Sequence, residues 1–127
     1  MGQYLIDNNV ISHYFSELLS ENGMLFIAQI LDQTPNVSVI TEIEALSWVN
    51  PDKSKEALIR EFISDANVFP LTPAIVKSCV KIRRNRKIKT PDAIIAATAI
   101  VHNLILISND DHFKGIEGLQ LIDSQSL

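Results

Sequence analysis

Apolar residues follow two alternating rhythms along the chain, short runs and longer stretches at helical spacing. Gln3 to Ile6 is a short apolar run ending at Asp7, and Asn8 and Asn9 serve as turn and cap residues before Val10 to Phe15. That order predicts a strand, a tight turn and a helix. Leu18 to Leu31 predicts a second helix, restarting near Gly23 and closed by Gln33-Thr34-Pro35-Asn36. Asn36 to Ile40 alternates and is β-branched, the pattern of a strand. Thr41 and Glu44 have the spacing of a capping box opening a helix over Ile43 to Trp48. Lys55 to Ile63 predicts an amphipathic helix, and Asn67 to Leu71, interrupted by Pro70, is at most a short edge strand.

The second half is more sharply marked. Thr72-Pro73 pairs a cap with a first-turn proline and predicts a helix to about Arg84, with Asn85 to Lys89 as a polar link. Thr90-Pro91 repeats the signal, and from Ala93 to Val101 every residue is Ala, Ile, Val or Thr. With no polar face left, this helix has to be packed on most sides. Asn103 turns the chain into Leu104 to Ile107, an apolar run typical of a strand covered on both faces, and Leu119 to Ile122 predicts a last strand. Strands alternating with helices predict a three-layer α/β sandwich, a mainly parallel sheet of four or five strands flanked by helices.

At 127 residues and 46% hydrophobic content, residues 1–127 are expected to form a single domain. No apolar run is long enough for a membrane span, and MGQYLIDNN has neither the basic nor the apolar region of a secretory signal. The lone Cys79 suits a reducing compartment, so a soluble cytoplasmic protein is expected. A net charge of −4 disfavours non-specific nucleic-acid binding, but its distribution changes the picture. Lys81, Arg83, Arg84, Arg86, Lys87 and Lys89 crowd one segment, and without these six the rest of the chain stands at −10. Such a strip reads either as a solvated helix end complementing the dipole or as a contact for a phosphate backbone.

The candidate chemistry lies in the acids. Asp7 ends the first strand, Glu44 stands in the first turn after the second, Asp92 opens the buried helix, and Asp110 follows the strand Leu104 to Ile107. In a parallel sheet all four come out on one rim, where helix N-termini and strand carboxyl ends meet. Each has an ordinary local role as a turn, cap or dipole partner. Together they crowd negative charge, which raises pKa values or requires a counter-ion. Mg²⁺ or Mn²⁺ resolves the crowding with oxygen ligands. His13, His102, His112 and Cys79 lack the spacing of a zinc cage, and His112, close enough to the acids to assist them, reads first as an exposed loop histidine with no role.

LIDNNVIS at Leu5 to Ser12, SVITEIEAL at Ser38 to Leu46, KIKTPDAIIAATA at Lys87 to Ala99 and LISNDDHF at Leu106 to Phe113 resemble, in this order, the PIN domain. The narrower resemblance is to the VapC-like ribonuclease toxins of type II toxin–antitoxin modules. It selects Glu44 over Glu42 as the second acid and Asp110, ahead of Asp111, as the fourth. Asn8 departs from the family's usual Thr, whereas Asn9 and Thr41 match its usual polar partners. The resemblance implies an endoribonuclease that hydrolyses RNA phosphodiester bonds by Mg²⁺- or Mn²⁺-activated water, with Asp7, Glu44, Asp92 and Asp110 as metal-binding and catalytic residues. Asn9, Thr41, Arg83, Arg84 and Arg86 would then contact substrate. The resemblance further implies inhibition by a cognate antitoxin and a homodimer, with Leu18 to Leu31 as the candidate surface. A catalytically inactive PIN-like module that binds RNA or a protein partner is the alternative. A phosphoacceptor receiver would need an acidic pair after the first strand, and a dehalogenase-type phosphatase an Asp where Asn9 stands.

Overall fold

Each strand of the first half is a short segment between helices, and the alternation produces a sheet with all its strands parallel. The computed structural model describes residues 3–127, so Met1 and Gly2 of the segment read for a signal lie outside the described residues. The order is β1 (Tyr4–Ile6), α1 (Asn8–Phe15), α2 (Glu21–Leu31), β2 (Asn36–Ser38), α3 (Val39–Leu46), α4 (Lys53–Asp65), β3 (Asn67–Phe69), α5 (Pro73–Asn85), α6 (Thr90–Val101), β4 (Ile105–Ser108) and β5 (Gln120–Asp123). Single 3₁₀ turns at Asp111–Phe113 and Ser124–Ser126 complete it. The strands lie in the order β3-β2-β1-β4-β5, and every pairing is parallel. The three-layer α/β expectation is met, with β3 on an edge as Pro70 requires.

Side-chain alternation divides the core between the two faces of the sheet. Leu5 and Leu106 point into a cluster built with Ile75, Cys79 and Ile82 of α5 and the Ala93–Ala99 stretch of α6. Ile6 and Ile107, their neighbours in sequence, point the other way, onto Val10, Ile27, Val37, Ile59 and Phe62. Small alanines on α6 allow its backbone to lie close to the sheet, and Ala93, Ala96, Ala97 and Ala99 are wholly buried. The sequence reading of α6 as a central helix is thereby met.

Three boundaries differ from expectation, each for a local reason. The segment read as a strand to Ile40 ends at Ser38, because the Ser38 hydroxyl accepts the amide of Ile40 at 2.9 Å and starts α3 there. Thr41 is therefore inside the helix and does not form the capping box with Glu44. Thr90 is the first residue of α6, and the cap position falls to Lys89, without a side-chain hydrogen bond. Helix α2 begins at Glu21, where the Ser20 hydroxyl accepts the amide of Gly23 at 3.0 Å. Asn103 reverses the chain with φ 54°, a left-handed conformation that asparagine tolerates.

Candidate metal centre

The strand order reverses between β1 and β4, so the loops leaving these two strands diverge and open a crevice at their carboxyl ends. Asp7 stands at the floor of that crevice. Its amide extends the ladder to the carbonyl of Ile107 at 3.0 Å, and its carboxylate caps α1 by accepting the amide of Asn8 at 2.8 Å. The other oxygen accepts the hydroxyl of Ser108 at 2.7 Å and the side-chain amide of Asn9 at 3.0 Å. Asn9 in turn accepts the backbone amide of Asn109 at 3.3 Å, which ties the start of α1 to the end of β4. Only 5% of Asp7 is exposed. Burial pushes its carboxyl above the ordinary range, the Ser108 and Asn8 hydrogen bonds oppose this, and repulsion from Asp92 and Asp110 adds to it.

Around Asp7 stand the other three acids. Asp92, in the first turn of α6, is raised by partial burial and by Asp110, with His112 and Lys89 acting against the shift. Glu44 is raised by burial and then by the charges of Asp7 and Asp92. Each of these carboxylates therefore feels another of the set, and residues from four separate elements share one electrostatic neighbourhood. Asp110 is joined to the floor by its amide, which donates to the Ser108 hydroxyl oxygen at 3.1 Å. Asp111 turns outward and pairs with Lys114 at 2.9 Å, which lowers its pKa. The structure thus brings Asp110, and not Asp111, to the other acids.

The donor set tests whether a cation fits. Ligating atoms of Asp92, Asp110 and His112 lie within 4.8 Å of one another, and the charges of Asp92 and Asp110 act on Asp7. Hard carboxylate oxygens crowded in this way suit a divalent cation such as Mg²⁺ or Mn²⁺.

Comparison with known proteins gives this arrangement a family. A PIN domain profile matches residues 4–119. The chain belongs to the PIN domain family. A toxin–antitoxin complex from Klebsiella pneumoniae is similar at 28% identity and TM-score 0.76, over 95% of this chain and 97% of that one. DNA-bound VapBC from Salmonella typhimurium (21% identity, TM-score 0.76, 97% and 98% covered) shares the fold. So does FitAcB from Neisseria gonorrhoeae (21%, 0.75, 98% and 99%). None of the curated proteins matches the sequence. The recognition drawn from the four sequence segments is met by the family and by the likeness to the Klebsiella toxin–antitoxin complex.

This PIN domain places the remaining candidate residues unevenly. Asn9 reaches the site through Asp7. Thr41 is fully buried and its hydroxyl makes no hydrogen bond among the described residues, so it is not offered to a ligand from solvent. The basic strip divides. Arg83 donates to the carbonyl of Ile88 at 3.2 Å, and Arg86 spans to the carbonyls of Lys114 at 2.9 Å and His112 at 3.1 Å. Arg84 borders an apolar recess with Val76, Val80 and Ile94. Arg83, Lys87, Lys89 and His112 line a separate recess of about 430 Å³ adjoining the acids.

Ser108 and Asn109 are not singled out by sequence reasoning. Ser108 carried the clearest signal, a polar residue closing an apolar strand two positions before Asp110. His112, read as an idle loop residue, stands with Nδ1 3.2 Å from Asp110 and 3.9 Å from Asp92.

Proposed function

We propose that this PIN domain is a divalent-metal-dependent endoribonuclease of the VapC-like toxin kind, which hydrolyses RNA phosphodiester bonds and is inhibited by a cognate antitoxin. The observation that carries the reading is the convergence of Asp7, Glu44, Asp92 and Asp110 at the switch point of the sheet. These four residues would hold Mg²⁺ or Mn²⁺. When bound, such an ion supplies Lewis-acid stabilisation of the charge that develops on the phosphoryl oxygens and acidifies water.

The chain's own groups supply the rest. Glu44 and Asp92, carboxylates on the same rim, are the groups at hand to take the proton of the water that attacks phosphorus. As that bond forms, the bond from phosphorus to the departing sugar oxygen breaks, and no covalent link to the protein is required. Asp7 keeps the floor of the crevice fixed through its Ser108 and Asn9 hydrogen bonds. Arg83, Lys87 and Lys89 give the flanking phosphates cations to lie against, contacts that position a strand without reading its bases.

The likeness to the Klebsiella toxin–antitoxin complex supports an antitoxin partner. A homodimer is proposed through the α1–α2 region, where Leu18 and Leu25 are 69% and 61% exposed. Among the described residues no helix is long and apolar enough to cross a membrane, and the proposed site of action is cytoplasmic RNA. Purified protein freed of any partner, incubated with total cellular RNA and Mn²⁺ or Mg²⁺, should give discrete cut ends that disappear with chelator and with Asp92→Asn. Binding of RNA or of a protein without any cleavage would instead identify a catalytically inactive PIN-like module.

A further inference from the structure

His112 has an exposed side chain, 70% accessible, on a backbone that is held in place. Its amide donates to Asp110 Oδ1 at 2.9 Å, and its carbonyl accepts Arg86 Nη2 at 3.1 Å. The second arm of the same guanidinium holds the carbonyl of Lys114 at 2.9 Å, so Arg86 grips the short 3₁₀ turn on both sides of Phe113. Phe113 itself is 1% exposed and anchors that turn in the core. The backbone of His112 is fixed by three independent attachments, and the imidazole is delivered to the gap between Asp92 and Asp110.

We propose that the His112 imidazole supplies a nitrogen ligand to a divalent cation held with Asp92 and Asp110, and that this donor makes the site prefer Mn²⁺ to Mg²⁺. The inference rests on the metal-centre reading above and goes beyond it in assigning a nitrogen donor and a metal preference. The chemical ground is the character of the two ions. Mg²⁺ takes oxygen ligands and gives up its waters reluctantly, whereas affinity for nitrogen-containing sites rises along the first-row divalent series from Mn²⁺ onward. Carboxylates alone offer both ions the same hard oxygens, and an imidazole among them favours the transition metal. His13 is not in the group formed by Asp92, Asp110 and His112; its Nδ1 lies 3.2 Å from the side-chain amide nitrogen of Asn109.

Electron paramagnetic resonance of Mn²⁺ bound to the full chain reads the proposal directly, without substrate. Bound Mn²⁺ should show modulation from a directly coordinated ¹⁴N that vanishes in His112→Gln, an exposed substitution that keeps a polar side chain. Mn²⁺ affinity should fall about tenfold or more in that variant, at least the loss expected on removing an outer-shell partner. Mg²⁺ affinity, from competition against Mn²⁺, should change much less. Mn²⁺ binding that depends on Asp92 but carries no ¹⁴N coupling, or keeps it in His112→Gln, overturns the role of His112 and leaves the metal centre standing. Mn²⁺ binding that is absent, or indifferent to Asp92→Asn, overturns both.

Discussion

Asp7 and the Asp92–Asp110 pair share one rim, but the protein treats them in opposite ways. Asp7 lies on the floor of the crevice with amide, hydroxyl and carboxamide donors on its two oxygens. Asp92 and Asp110 stand higher, side chains 22% and 32% exposed, and share one exposed imidazole. Its distance to Asp92, 3.9 Å, is beyond hydrogen-bond length. The inner carboxylate is organised by the fold, whereas the outer pair keeps lone pairs turned toward whatever arrives from solvent. A binding centre built this way has a rigid floor and an unsatisfied mouth, and the two parts should fail differently when mutated.

The largest expected effect is on the mouth. Asp92→Asn should lower RNA cleavage by about 100-fold or more, since loss of even an outer-shell partner of a metal commonly costs 10–100-fold. The melting temperature without metal should not fall, because the substitution removes a charge that Asp110 repels. Cleavage assays beside thermal melts check both halves, and a large drop in stability would erase the distinction between floor and mouth.

Next comes the floor. Ser108→Ala takes from the buried Asp7 its shortest hydrogen bond and should cost about 1–3 kcal/mol in urea unfolding, the penalty for a buried group left short of a partner. Asn9→Ala should cost about 1 kcal/mol, as a second donor to the same oxygen is lost. If both variants unfold like the parent protein, Asp7 is not held by the fold in the way its contacts indicate.

Smaller, and in a definite direction, is the response to pH. Asp7, Glu44 and Asp92 all have folded pKa values above their ordinary ones, 3.8 for the aspartates and 4.5 for the glutamate. Between the ordinary and the raised values the folded state holds more protons than the unfolded state, so these groups add stability as pH falls through that window and lose it as pH rises. Through these three groups, metal-free protein should gain stability as pH falls toward the ordinary carboxylate values, before general acid unfolding sets in. Saturating Mn²⁺ should raise the melting temperature at pH 7 and flatten or invert this trend, since a bound ion favours the ionised carboxylates. Differential scanning fluorimetry across pH, with and without Mn²⁺, reads the sign; a metal-free protein whose stability does not rise relative to Asp92→Asn as pH falls would contradict it.

Much of the floor and the mouth was legible in the chain because position follows from topology. Once Gln3–Ile6 and Leu104–Ile107 are read as parallel strands, Asp7 and Asp110 have to emerge on one side, and the first-turn position of Asp92 brings it to the same side. What remained hidden involves groups that the sequence treats as anonymous. Arg83 and Arg86 spend their guanidinium groups on backbone carbonyls, so a strip that looks continuous in charge is divided in space. The apolar Val39 and Ile40 prolong a β-branched run, and only the local hydroxyl-to-amide bond of Ser38 reveals that the helix has already begun. The backbone of His112 is held by a short turn and by a distant arginine, neither visible as a motif.

The bond between Asp7 and Ser108 joins residues 101 positions apart. A nascent chain leaving the ribosome carries Asp7 from the start but cannot give its carboxylate a hydroxyl partner until β4 has been made, about 5–20 seconds later at ordinary elongation rates. The first acid is thus translated well before its partner, and a growing polypeptide holds the parts of its acidic centre without the means to assemble them.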